Sequence, residues 1–310
     1  MKPIAIIGII IGASAIVSFG VVMAASYISQ AIHPLKEVEK KATDEYNSID
    51  ISLRVSDIDI VPSSDGSTKA TCYERDNYYH EVVVEDNTLK VRMVDKRSFI
   101  AKLFYPGMKL TLEVPQKEYV SFKEENGTGS LTTNKDLSFL DASITHSTGS
   151  IHFNSSISNQ LDITASTGSI EVNNINAKIV KLKASTGSIH ASEVKVDEMN
   201  AEVSTGNIDL NQENVNNLNL VSSTGNIKLN NIIINNHLKA RASTGNVTLI
   251  DSDALSINIK TSTGNIKGIL LTGKTFHTST STGHVNVPTG TTGGECYLET
   301  STGNIDITIK

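Results

Sequence analysis

A tetrapeptide that recurs at a nearly fixed spacing constrains this chain more than any other feature. It reads Ser-Thr-Gly-Ser or Ser-Thr-Gly-Asn in almost every copy, and Ile or Val follows it. Successive glycines are 19 or 20 residues apart. A period of about 20 residues over more than half of a chain predicts a solenoid of stacked repeats. A weaker copy contains Gly129, and the full copies contain Gly149, Gly168, Gly187, Gly206, Gly225, Gly245, Gly264, Gly283 and Gly303.

Apolar and polar residues alternate on both sides of this glycine. Around Gly168, for example, Ile170 and Val172 follow it, and Ala165, Ile163 and Leu161 precede it at odd spacings. Such alternation predicts strands with one buried face. Each repeat therefore predicts two short strands joined at the Thr-Gly corner. Because a single unit cannot bury its apolar face, we expect an all-β, parallel β-solenoid (β-helix) of about ten 19–20-residue coils.

The corner residues have a local role in this prediction. Glycine adopts positive φ at low cost, and a sharp corner often requires that conformation. The flanking Ser, Thr and Asn side chains are expected to form ladders of hydrogen bonds from coil to coil. The extra residues of the longer repeats, near 230–236 and 288–295, are expected to lie at the opposite corner, outside the strands.

Composition argues against several classes of protein. The chain has 310 residues, a net charge of −6 and no Trp. It has no basic stretch, and this charge does not suit a nucleic-acid partner. Its two cysteines, Cys72 and Cys296, are far apart in the sequence. Cys296 falls in a predicted interior row, so a buried apolar role is expected rather than a catalytic thiol or a disulfide.

The N-terminal segment is long, apolar and uncharged from Ile4 to Ile28. A stretch of this length can span a bilayer, although the small residues at 22–26 also fit the cleavage site of a signal peptide. We expect an uncleaved transmembrane anchor within residues 1–32, with the protein in the cell membrane as a single-pass protein. Lys36, Lys40 and Lys41 follow this segment, and the positive-inside rule alone would keep them in the cytoplasm.

The remaining chain divides by pattern into three regions. Residues 33–46 are charged and are expected to form a stalk. Residues 47–125 alternate without the repeat, which predicts an N-terminal β cap, with a hairpin turn at Asp86-Asn87. Residues 126–310 form the β-solenoid repeat domain. The chain stops directly after the strand at 305–310, so this strand is expected to form the open edge of the stack.

Three motifs together resemble a known family. They are the lead sequence from Leu53 to Pro62, the strand that ends at Val114-Pro115, and the many [ST]-G-[SN]-[IVL] units. The chain from about residue 48 to 310 resembles the bacterial putative-adhesin family, β-strand-repeat domains common in Gram-positive bacteria. The resemblance implies a β-helical cell-envelope protein, often membrane-anchored and sometimes linked with envelope stress. It implies no catalytic residues and no cofactor, and it favours display outside the membrane.

Catalytic and metal-binding chemistry has little support in the repeats. On the outer row three residues after each glycine, Glu171 and Asp209 lie two coils apart, near the separation of an inverting carboxylate pair. Charges of both signs alternate along this row, so a solvated mixed face is the favoured interpretation. His152 and His190 are too far apart to share a metal, and His146 with His152 lacks a third ligand. We therefore predict no catalytic residue, cofactor or metal.

One segment of the cap region interleaves basic and aromatic residues between Lys96 and Pro106. This pattern suits contact with anionic headgroups or with a partner, and it equally suits a loop whose aromatic rings pack on the cap. The candidate contact residues are Arg97, Phe99, Lys102, Phe104 and Tyr105.

These observations predict a non-enzymatic, membrane-anchored β-solenoid with its repeat domain outside the cell. It would act as an adhesin or binding module, with a cell-envelope polymer or protein as partner, or in an envelope-stress response. Two alternatives remain open. One is a polysaccharide-active enzyme on the same fold, and the other is a structural protein that stacks through its open C-terminal strand.

Overall fold

The computed structural model describes residues 34–97 and 108–310, and every regular element in these ranges is a β-strand. The strands form two facing sheets, one of 14 and one of 13 strands. We call them the short-strand sheet and the long-strand sheet. The predicted anchor (1–32) lies outside the described residues. The described chain is thus an all-β solenoid, and most neighbouring strands are parallel, as the repeat predicts.

Each repeat contributes one strand to each sheet. A strand of the long-strand sheet leads to the Thr-Gly corner, and a strand of the short-strand sheet follows it. The long strands are β8 (Glu118–Thr128), β10 (Ser138–Thr148), β12 (Ser156–Thr167), β14 (Asn176–Thr186), β16 (Lys195–Thr205), β18 (Asn214–Thr224), β20 (Ile233–Thr244), β22 (Asp253–Thr263), β24 (Lys274–Thr282) and β26 (Gly294–Thr302). The short strands are β9 (Leu131–Thr133), β11 (Ile151–Phe153), β13 (Ile170–Asn173), β15 (Ile189–Ser192), β17 (Ile208–Asn211), β19 (Ile227–Asn230), β21 (Val247–Ile250), β23 (Ile266–Leu270), β25 (Val285–Asn286) and β27 (Ile305–Ile309).

The interior between the sheets contains the rows that the alternation predicts. In the coil around Gly168, Leu161, Ile163 and Ala165 are fully buried, and so are Ile170 and Val172. Equivalent residues pair directly between coils, as Leu161 does with Val180. Like residues therefore stack on like residues, and one apolar core runs through the solenoid. Cys296 is fully buried in its interior row, as predicted.

The corner glycines have positive φ, and they also lie against the neighbouring coil. Gly206 has φ of +139°, and a Cβ atom built there would overlap the carbonyl oxygen of Gly187. The Gly206 N–H donates to the carbonyl of Thr224 in the next coil, at 2.9 Å. The same overlap occurs at every predicted corner glycine. Glycine is therefore required for two reasons, conformation and close backbone approach, and only the first was predicted.

Side chains that follow the corner glycine form the expected ladder. The Asn207 Oδ1 accepts a hydrogen bond from the Asn226 N–H at 2.9 Å, and the Asn226 Oδ1 accepts one from the Asn246 N–H at 2.9 Å. The ladder continues through Asn265 and Asn304. Each amide side chain thus satisfies a backbone donor of the next coil and fixes its register.

The opposite corner is built from residues in the left-handed conformation, and it absorbs only part of the length variation. Asn174, Glu193, Gln212, Asn231 and Asp251 occupy it with φ between 48° and 59°. The longer connection at 288–293 lies between strands, as predicted. The extra residue of the 230–236 step does not lie between strands. It belongs to β20 and forms a β-bulge, where the pairing register with the next strand shifts between residues 234 and 237. A bulge keeps the flanking interior rows aligned, so a strand can accept it.

The N-terminal strands extend both sheets rather than only covering them. Strands β2 and β3 form a coil that is parallel to β8 and β9, and β6 and β7 form a further coil outside it. Antiparallel β4, β5 and β1 complete the end of the stack. The predicted hairpin at Asp86-Asn87 is confirmed, and part of the predicted stalk (33–46) forms β1. The bounds are β1 Lys36–Ala42, β2 Ser48–Val55, β3 Asp57–Pro62, β4 Thr68–Glu74, β5 Tyr78–Glu85, β6 Thr88–Asp95 and β7 Lys109–Val114.

The C-terminal coils do not stack in chain order, which corrects the predicted open edge. Strand β26 lies between β22 and β24, and β27 lies between β23 and β25. The edge strands are therefore β24 and β25. A nearly buried ion pair spans the inserted coil, with the Lys274 ammonium 2.6 Å from the Asp253 carboxylate. Gly294, the partner of Lys274 in β26, has no side chain to obstruct it. End-to-end stacking would use β24 and β25, not the C-terminal strand.

One interior position carries a carboxyl group where its neighbours are aliphatic. Glu213 occupies the row that contains Ile175, Val194 and Ile232 in adjacent coils, and it is 2% exposed. Burial raises the pKa of Glu213 to about 8, while backbone groups of Val194 and Asn211 act in the opposite direction. The folded protein therefore holds this proton at neutral pH.

Replacement of Gly206 by Ala should lower the free energy of unfolding by at least about 2 kcal/mol, because the new Cβ overlaps backbone that cannot move independently. Urea denaturation followed by circular dichroism measures this loss. Gly290 is the matched control, with φ of +73° and no atom within 4 Å of an added Cβ. Its replacement by Ala should cost only about 1 kcal/mol. Equal losses at both positions would contradict the close-approach explanation.

The protein should lose stability as the pH rises from about 4.5 to 8. The unfolded chain ionises Glu213 near its ordinary pKa of 4.5, whereas the folded chain keeps it protonated until about 8. The stabilisation of the folded state by Glu213 is therefore complete below pH 4.5, and it falls by roughly 3–5 kcal/mol as the pH rises to 8. Glu213→Gln should remove that part of the pH dependence in denaturation measured at several pH values. Glu198→Gln, at an exposed strand position, should leave it unchanged.

Candidate binding surface

The outer row that follows the corner glycine by three residues contains contacts between histidine and carboxylate side chains. The His152 Nδ1 lies 2.9 Å from the Glu171 carboxylate, and the His190 Nδ1 lies 3.4 Å from the Asp209 carboxylate. These four side chains are between 37% and 50% exposed. The row is a solvated face of mixed charge, which agrees with the interpretation favoured from the sequence.

The carboxylate pair considered for glycoside cleavage has the wrong environment for an acid catalyst. Asn173 donates a hydrogen bond to Glu171, and this contact, followed by that of His152, lowers the pKa of Glu171. A general acid in a glycosidase needs a raised pKa. Glu171 and Asp209 thus behave as members of surface ion pairs.

The two histidines considered together for zinc, His146 and His152, lie in different sheets, and one faces the interior while the other faces solvent. His146 is fully buried, and its Nε2 is 2.8 Å from the carboxylate of Glu124, which is also fully buried. His152 faces outward. Burial raises the pKa of Glu124, and the contact with His146 acts in the opposite direction. The structure therefore does not bring His146 and His152 together.

A groove of about 660 Å³ lies on the outside of the short-strand sheet, near the N-terminal end of the stack. We call it the N-terminal groove. Two of its lining residues are apolar, Ile60, which is buried, and Val61, and the remaining lining residues are polar. The polar lining residues are Asp59, Lys109, Thr111, Thr132, Thr133, Asn134, Lys135, Asn154 and Asn174.

Three separate parts of the chain position the charges of this groove. Asp59 on β3 and Lys109 on β7 are neighbours, and the Lys109 Nζ lies 3.0 Å from the Asp59 carboxylate. This contact raises the pKa of Lys109. Lys135 lies in the β9–β10 turn and is exposed. Two ammonium groups and one carboxylate leave a net charge of +1 among the lining side chains.

The hydroxyl and amide groups of the groove are held by the coil stack. The Thr133 Oγ1 accepts a hydrogen bond from the Asn154 N–H at 3.0 Å, and the Asn154 Nδ2 donates to the Thr133 carbonyl at 3.2 Å. The Asn134 Oδ1 accepts from the Asp136 N–H at 2.9 Å and orders the turn that carries Lys135. These contacts give the groove a preorganised polar wall.

Of the predicted membrane or partner contacts, the structure describes Arg97. This residue is 8% exposed, and its guanidinium is bound to Asp95 at 2.8 Å and lies over the Tyr78 ring at 4.1 Å. Arg97 is thus part of the cap interior and is not presented to headgroups. Phe99, Lys102, Phe104 and Tyr105 lie outside the described residues.

One cluster of metal-ligating side chains was not predicted. Cys72, Glu74 and His80 are buried, and one ligand atom of each lies within 4.8 Å of the others. The alternation in β4 places Cys72 and Glu74 on one face, which the sequence could have shown. Their proximity to His80 depends on how β4 and β5 face each other, which the sequence did not show.

The fold and its polar outer faces define a repeat β-solenoid, a class of protein that presents an extended surface for binding. A family model described as Toastrack DUF4097 matches residues 46–216 and 195–310. The chain therefore belongs to the Toastrack DUF4097 family, and the resemblance to adhesin-like repeat domains is confirmed.

The solved structures that match this chain include several described as adhesins. One, a putative adhesin from Parabacteroides merdae, is 13% identical, with 88% of this chain and 96% of that chain covered and a TM-score of 0.45. A putative adhesin from Bacteroides fragilis is 18% identical, with 88% and 97% covered and a TM-score of 0.34. A putative lipid binding protein from Parabacteroides distasonis is 16% identical, with 88% and 96% covered and a TM-score of 0.48. No curated protein matches this chain.

The predicted membrane anchor is not addressed by the described residues. Within 34–97 and 108–310, the structure contains no helix that is long and apolar enough to cross a membrane.

Proposed function

We propose that this protein is a non-enzymatic binding module of the bacterial cell envelope. Residues 1–32 would hold it in the membrane, and the solenoid would extend outside. The observation that carries the proposal is the N-terminal groove, whose lining residues are mostly polar and which lies near the N-terminal end of the stack. Adhesion or sensing of envelope stress would follow from what this groove binds.

The charges of the groove favour an anionic polysaccharide. Lys135 has no ion-pair partner among the described residues, so its ammonium is available to a carboxylate or phosphate of a ligand. Thr132, Asn134 and Asn154 provide hydroxyl and amide groups that suit the hydroxyls of a sugar chain.

The lysines after the anchor do not oppose display outside the cell as strongly as their number suggests. Lys40 is bound to Glu74, at 2.9 Å, and Lys36 is bound to Asp76, at 2.9 Å. Both belong to β1, which pairs with β4 of the folded cap. These lysines thus have a structural reason to be present, independent of orientation in the membrane.

External protease should digest the repeat domain in intact cells that make the full chain. The measurement is loss of the solenoid on a blot, with a chain that lacks residues 1–32 as the control for a soluble, intracellular form. Protection of the full chain until the membrane is opened would contradict the proposal and leave a tethered cytoplasmic scaffold.

Lys109→Gln combined with Lys135→Glu should weaken binding to polygalacturonate, an anionic probe, by roughly tenfold, because the ligand loses its cationic contacts. Affinity electrophoresis of the full chain measures this effect, with dextran as the neutral probe. Lys183→Gln combined with Lys181→Glu, exposed changes on the long-strand sheet that alter the net charge equally, is the matched control and should retain binding. Equal weakening by both changes would show that net charge, not the groove, is responsible.

A further inference from the structure

The N-terminal cap contains a cluster whose chemistry the binding function does not use. Cys72 and Glu74 project inward from β4, and His80 projects inward from β5, which belongs to the other sheet. Cys72 and His80 are fully buried, and Glu74 is 6% exposed. Their ligand atoms lie within 4.8 Å of one another. A thiol, a carboxylate and an imidazole thus share one buried space.

Hydrogen bonding within this cluster is incomplete. The Glu74 Oε2 accepts from the His80 N–H at 2.8 Å and lies 3.3 Å from the His80 Nδ1. The Cys72 Sγ has only a long contact of 3.9 Å with the Ala70 carbonyl. The His80 Nε2 is buried without a hydrogen-bond partner. A buried imidazole nitrogen of this kind costs free energy unless something binds it.

A cation already contacts the cluster. The Lys40 Nζ lies 2.9 Å from the Glu74 Oε1 and also donates to the His80 carbonyl. The Lys40 side chain is 23% exposed and belongs to β1, the edge strand of its sheet. It can therefore withdraw to solvent by side-chain rotation while the backbone of the cap stays in place.

We propose that Cys72, Glu74 and His80 form a binding site for a divalent cation of the zinc class, and that Lys40 occupies its place in the metal-free protein. Sulfur, nitrogen and carboxylate oxygen form the donor set that zinc selects. Ligand atoms around tetrahedral zinc are separated by roughly 3.3–3.8 Å, so a contraction of about 1 Å would bring the three side chains to the metal, with a water as the fourth ligand.

The charges balance when the metal binds. In the metal-free protein the buried Cys72 thiol lies beside the Glu74–Lys40 ion pair. On binding, the thiol proton passes to solvent and the Lys40 ammonium moves out. The cation then faces one thiolate, one carboxylate and one neutral imidazole, which leaves no net charge in the buried space.

Titration of the purified full chain with Co²⁺ tests the site. The expected result is one equivalent bound, with a near-ultraviolet thiolate-to-cobalt band that zinc abolishes by competition. Cys72→Ser and His80→Gln should lose the band. Cys296→Ser should keep it, because Cys296 is a second buried cysteine that belongs to no cluster of metal-ligating side chains among the described residues. Circular dichroism confirms that each variant is folded.

Lys40→Met provides a test that does not depend on removing a ligand. If the lysine competes with the metal, its loss should tighten Co²⁺ binding at least tenfold. Absence of the band in both the unaltered chain and Lys40→Met would overturn the proposal and identify Lys40 as the permanent partner of Glu74. A band that persists in Cys72→Ser would overturn it as well.

Discussion

The structure depends on backbone contact between successive coils at the glycine corner. There, the N–H of each glycine donates to the threonine carbonyl of the next coil, at 2.8–2.9 Å in the central coils. No side chain separates the two coils at this point. Because the coils meet backbone to backbone, the interior rows come into exact register and like side chains stack. The Asn ladder beside the corner then satisfies the remaining backbone donors. A side chain in place of one glycine would clash with the carbonyl of the neighbouring coil at this point.

The sequence predicted the repeating rows and the hairpin at Asp86-Asn87, but it did not predict the order of the last coils. Rows such as Leu161, Ile163 and Ala165 follow from alternation, since a period of two assigns each side chain to a face. The order of the last coils does not follow, because Val285 and Ile305 carry the same pattern and either strand could pair with β23. In the observed order, Lys274 reaches Asp253 across the inserted strand β26, where Gly294 has no side chain to obstruct the contact.

The sequence did not predict the candidate sites, and the reason is related. Asp59, Lys109 and Lys135 form one groove, although they come from three separate parts of the chain and only the coil stack brings them together. Alternation could place Cys72 and Glu74 on one face, but His80 joins them across the space between the two sheets. Sequence periodicity describes neighbours within one strand and equivalents one repeat away. It contains no information about which residues face each other from opposite sheets at the irregular end.

The inserted last coil changes how the solenoid would respond to mechanical load. Strands β26 and β27 have hydrogen-bonded neighbours on both sides, and at the other end β2 and β3 are enclosed in the same way. Tension applied to residue 310 would therefore have to break two ladders at once, instead of unzipping one coil after another from a free edge. A chain fixed at its N-terminal side and pulled at its far end would extend little before it failed.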